Sequence, residues 1–223
     1  MATKTTVIRL PEISLEEHIM YIIGTSPLIV HAFPEKARKQ MLDRQMKEPK
    51  GGRDARDPYA EVEAARYRLP DGRDGVPAVA LKDSAVTACS SLSDVTKVAA
   101  RQAFRVKGLP MHSKGVIEGS FVRTALVPLV ANAPVIREDV VRLSGIGRTP
   151  EMRYRPEFGT WGIEFSIVLN PQVISIGQLA SMFQAAGHGV GIGDYRPERD
   201  GDCGTFDVVG AKDFAVWRQE NGL

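Results

Sequence analysis

Residues 187–206 read GHGVGIGDYRPERDGDCGTF. Six glycines share this stretch with Asp194, Arg196, Glu198, Arg199, Asp200 and Asp202. Glycine tolerates positive φ and lets backbone come close to a neighbour. Arginine supplies a planar, permanently charged fork that matches phosphate. Together they point to contact with a nucleic-acid backbone. Gly189, Gly191 and Gly193 would allow close approach, and Arg196 and Arg199 would meet phosphate. Tyr195 offers a ring on which an unpaired base can stack.

A second candidate is the basic stretch 34–56. It holds eight Lys and Arg against four Asp and Glu, a local +4 in a chain whose total is +2. Lys36, Arg38, Lys39, Arg53 and Arg56 are expected to clamp phosphates from this arm; the plain alternative is a solvated helix face and loop. Tyr154 and Tyr67 lie in RYR triplets and are further stacking candidates.

Other chemistries fit less well. The spacing Gly187, Gly189, Gly191, Gly193 is not GxGxxG, and the loop follows a helix instead of opening one, so a dinucleotide site is not indicated. The carboxylates 194, 198, 200 and 202 lack calcium-loop spacing and alternate with arginines, which favours an ion-paired loop over a metal site. His31 and His188 are the histidines placed to meet near the loop, yet no paired lysine or tyrosine marks them as acid–base groups. Neither a cofactor nor a catalytic residue is expected.

The elements that would carry these residues follow from periodicity. WGIEFSIVL at 161–169 alternates cleanly and predicts a strand with Trp161, Ile163, Phe165, Ile167 and Leu169 on one side. Ile176, Leu179, Ala180 and Phe183 predict a helix over 176–186. A short strand at 205–209 and a helix at 212–219 follow the loop. Near the start, Ile19 to Ile23 is apolar throughout and predicts a central strand buried on both faces. Pro34 then opens a basic helix. In the middle, Pro70-Asp71-Gly72 predicts a hairpin between 65–69 and 76–81. Helices are expected at 82–92 and, capped by Ser93-Asp94, at 95–106. Strand character marks 116–130, 135–143 and 152–154.

Composition bounds the setting. The chain has 223 residues, 25% charged and 43% hydrophobic, ordinary values for one or at most two domains. Two cysteines without ligand spacing suggest a reducing, cytoplasmic setting. No apolar run has the length of a membrane span, so no membrane partner is expected.

The order strand, helix, glycine loop, strand matches the second half of a ferredoxin-like βαββαβ unit. Here the chain resembles the RAMP superfamily of RNA-recognition-motif-like proteins found in CRISPR systems. The resembling residues are ISIGQLASMFQAAG and GVGIGDYRPERDGDCGTF, whose Gly204-Thr205-Phe206 ending is typical of that family's glycine-rich loop. The segment GTSPLIVHAFPEKARKQM also looks like phage or prophage proteins. The resemblance implies an α+β, ferredoxin-like (RRM-like) core, with the N-terminal strand and basic helix as its first βα and 48–150 as mostly insertion, all in one domain. It also implies a non-enzymatic binder of single-stranded RNA or DNA that self-associates as a homo-oligomer along the strand. The alternatives are a phage assembly or host-defence-inhibiting interaction module, and a metal-independent endoribonuclease using His31 or His188.

Overall fold

A computed structural model describes residues 13–47, 55–92, 94–109, 124–142 and 150–223. In chain order its elements are β1 (Glu16–Gly24), β2 (Leu28–Ile29), α1 (Glu35–Gln45), α2 (Pro58–Ala64), β3 (Gly75–Pro77), α3 (Ala78–Ala88), α4 (Lys97–Ala103) and β4 (Phe104–Lys107). There follow β5 (Leu126–Pro128), β6 (Val130–Ala131), β7 (Val135–Arg142), β8 (Pro150–Phe158), β9 (Trp161–Leu169), α5 (Ile176–Gly189), β10 (Phe206–Val209) and α6 (Ala211–Glu220).

The alternation in β9 does what it predicts: Trp161, Ile163, Phe165, Ile167 and Leu169 are all buried. β9 is the hub of the main sheet, whose order is β10-β1-β9-β4, with β6 pairing on β9 as well. All of these pairings are antiparallel. α3 and α5 pack against each other and contribute to the core shared with the sheet. Phe183 of α5 is buried between Phe104 and Phe165 at ring separations of 5.9 and 5.4 Å, a burial that stabilises by about 1.5–3 kcal/mol. α5 begins in a capping box in which the Ser175 hydroxyl accepts from Gln178 N and the Gln178 side chain accepts from Ser175 N. α6 contacts β1, with Phe214 against Tyr21 at 5.3 Å. A smaller sheet, β2-β8-β7, extends from the β1–β2 connection, and β3 pairs with β5.

Several expectations are corrected. The packed helix between β1 and the next strand of the main sheet is α3, not the basic helix α1. α3 reads AVALKDSAVTA and buries Ala78, Leu81, Ser84, Ala85, Val86 and Ala88, whereas α1 leaves Met41 and Leu42 exposed. α3 and β4 both lie within 48–150, so that span carries part of the main sheet and its covering layer. β1 buries only one face fully: Met20 and Ile22 point into the core, while on the other face Tyr21 and Ile23 are half-buried and Ile19 is 57% exposed. The turn at 70–72 forms, with Gly72 at φ 84, but Val76 leaves it to pair with β5 and the chain enters α3 at Ala78. α4 is capped by Thr96 and gives way to β4 at Phe104; Ser93 lies outside the described residues. The strand expected at 152–154 runs the length of β8, paired with β7. Most of 116–130 also lies outside the described residues.

Candidate nucleic-acid interface

α5 ends at Gly189, and the chain then folds into a loop that is tied to the protein itself. Asp194 N donates to Ile29 O at 2.9 Å and Gly204 N to Pro27 O at 2.8 Å, fastening the loop to the β1–β2 connection. Ile192 N donates to Gly204 O and Cys203 N to Tyr195 O, both at 2.9 Å, which zips its two arms together. On the α3 side the buried Ser84 hydroxyl donates to Gly191 O at 2.9 Å. Gly193 has φ 79, and a Cβ there would run into Ile29 O. Gly204 has φ 68, and its Cβ would run into Ile192 O. The close approach that these glycines permit is therefore to the protein's own backbone. Gly191 also has positive φ, whereas a Cβ on Gly189 would meet nothing within 4 Å.

The charges around the loop are mostly paired. Arg196 Nη1 donates to Gly193 O at 2.9 Å, and Nη2 and Nε donate to Glu198 at 2.7 and 3.0 Å. Its guanidinium thus braces the loop from inside. The Arg199 side chain is exposed and forms no hydrogen bond or ion pair among the described residues, while its backbone N donates to Arg196 O at 2.8 Å. Tyr195, at φ 54, has Arg155 and Arg137 at 5.1 and 5.4 Å from its ring centroid, so the ring is already engaged by two cations. Arg155 is buried, 4% exposed, and lies 3.6 Å from both Asp139 and Asp194. Arg137 bonds Glu157 and Asp139, and those carboxylates raise its pKa further.

Asp194 sits at the centre of this cluster. Its Oδ2 is 3.6 Å from His31 Nδ1, longer than a regular hydrogen bond, and 3.6 Å from Arg155 Nε. Burial alone would raise the Asp194 carboxyl. The neighbouring His31, Arg155 and Arg196 outweigh it and hold the group below the ordinary carboxylate value. Tyr67 donates to His31 O at 3.3 Å, and burial, followed by the Asp194 charge, pushes its phenol up.

The basic arm is less unified. Lys36 lies in α1, but its side chain, like the whole of Arg53, falls outside the described residues. Lys39 is exposed and Arg38 half-buried. Arg56 is paired with Glu61, Nε to Oε1 at 2.7 Å, and lies 5.5 Å from the Tyr154 ring centroid. Its charge is already neutralised by a neighbour.

Two cavities adjoin along the loop and share Pro77, Ala80, Ile192, Gly193 and Arg196. The larger, about 460 Å³, opens between α3 and the loop and includes Ser84, Thr87, Arg101 and Glu198. The smaller, about 190 Å³, is lined by His31, Tyr67, Asp194 and Arg196 over an apolar floor. Of the two histidines considered, His31 lines a cavity, whereas His188, in the last turn of α5, lines neither. Among the described residues no group of three or more His, Cys, Asp or Glu could hold a metal ion.

The structure adds Arg101, Arg137, Asp139 and Arg155 to the neighbourhood of the loop. Arg101, Arg137 and Asp139 have no local motif that marks them. The RYR triplet at 153–155 drew attention to Tyr154, while the residue that reaches the loop is Arg155. The triplet at 66–68 did flag Tyr67, which lines the smaller cavity.

No protein-family model matches the chain, and no curated protein matches it. Among solved structures it is similar to the crystal structure of Cmr6 from Pyrococcus furiosus. The two share 11% identity over 82% of this chain and 95% of that one, with a TM-score of 0.34. This chain's own residues decide what its site can do.

Proposed function

We propose that the chain binds single-stranded nucleic acid without cutting it, on a ferredoxin-like βαββαβ core, and self-associates along the bound strand inside the cell. The fold reading is supported by the strand order β10-β1-β9-β4 and by the pairing of α3 with α5. The observation that carries the binding reading is the pair of adjoining cavities beside the glycine loop, with the Arg196 guanidinium between them and Arg101 on the wall of the larger. Apolar surface next to fixed cations suits bases next to phosphates. The glycine loop forms the rigid wall of this groove, and Arg199 stands exposed on it as a free cation.

The test is titration of a labelled, unstructured single strand of about 20 nucleotides at low salt. Binding is expected, and Arg101→Ala and Arg199→Ala should each weaken it several-fold with the melting temperature unchanged. Arg196→Ala is a poor probe of phosphate contact, because its guanidinium braces the loop. Failure of the wild-type protein to bind at low salt would overturn the reading.

A further inference from the structure

We propose that the smaller cavity reads one unpaired guanine base. This rests on the nucleic-acid reading above and adds a base preference to it. At about 190 Å³ the cavity is smaller than the ~300–1,000 Å³ typical of drug-sized ligands, which limits its occupant to roughly one planar ring system. Leu28, Val30, Val76 and Ile192 give it apolar surface of the kind a base face packs on.

The polar groups set the identity of the base. Both recorded ion pairs of Asp194 end on Oδ2, and Oδ1 takes no hydrogen bond among the described residues. The carboxyl is held ionised by its cationic neighbours, so it only accepts. Guanine presents two adjacent donors, N1–H and N2–H₂, which one carboxylate can take together. Adenine, cytosine and uracil each place an acceptor beside their donor on the same edge, and that acceptor would face the negative charge. Guanine O6 beside N1–H can in turn accept from His31 or Arg196, which line the same cavity. The adjoining larger cavity, with Arg101, leaves room for the sugar and phosphate that follow.

The test compares four labelled oligouridine RNAs that differ only in one central base. With the wild-type protein at fixed salt, the guanine strand should bind about tenfold tighter than the uracil, adenine and cytosine strands. Guanosine should displace it and adenosine should not. Asp194→Asn should bring the guanine strand to within about twofold of the other three, all measured with that same variant. Equal wild-type affinity for all four strands would overturn the guanine pocket and leave nucleic-acid binding standing. Displacement by free arginine, with no base preference, would assign the cavity to a protein side chain instead and also overturn it. Binding of none of the four would overturn both readings. The wild-type comparison decides the matter even if Asp194→Asn does not fold.

Discussion

At the scale of single residues, the glycines of the loop divide into two kinds. Gly193 and Gly204 combine positive φ with a backbone carbonyl where a Cβ would sit, so neither can carry a side chain without the loop moving. Gly193→Ala should cost at least about 2 kcal/mol, read as a fall in the urea midpoint. Gly189→Ala, at the end of α5 with open space around its Cβ, should be neutral or stabilise by up to about 1 kcal/mol. Equal losses at both positions would remove this distinction. Asp194 offers a pH test. Its carboxyl is lower in the folded chain than in the unfolded one, so it stabilises above the unfolded value and that contribution is lost as pH falls through the folded one. Stability measured downward from pH 6 should therefore fall less steeply in Asp194→Asn than in the wild type. Parallel curves would show that the charges around Asp194 contribute nothing.

At the scale of elements, β9 and α5 carry the fold. β9 pairs with β1 along nearly its whole length and with β4 at its C-terminal end. α5 lays Leu179, Met182, Phe183 and Ala186 on the core and ends where the glycine loop begins. Because the capping box sets the start of α5, Ser175→Ala should cost about 1 kcal/mol in a urea titration. The cap lies at the opposite end of α5 from the loop, so strand binding should not change. A loss of binding without a loss of stability would show that the two ends of the helix are coupled. α1 stands apart from this framework, with Met41, Leu42 and Met46 exposed along a basic helix.

At the scale of the whole molecule, the charge balance limits how much binding can come from phosphate alone. The net charge is +2, and Arg56 and Arg196, both expected to meet phosphate, are held by Glu61 and Glu198. Of the cations considered for phosphate contact, Lys39, Arg101 and Arg199 are exposed. A strand neutralised by about three of them would give a log–log salt slope near −2, with Arg199→Ala making it shallower by about 0.7. No described helix is long and apolar enough to cross a membrane.

The sequence by itself determined those parts whose signal is local. The alternation of 161–169, the apolar stripe of 176–186, the late strand and the last helix all follow from spacing a few residues apart, and the structure contains each of them. The glycine loop was legible for the same reason, as was Tyr67 within its RYR triplet. Tertiary structure decided which helix covers the sheet. α1 and α3 are both helices by local signal, but only α3 is apolar on enough of its surface to be buried against α5. It also decided what the loop glycines approach and what the arginines touch. Arg155 meets Asp194, and Asp194 meets His31, between segments far apart in the chain. Such pairs are set by packing, and no spacing in the sequence encodes them.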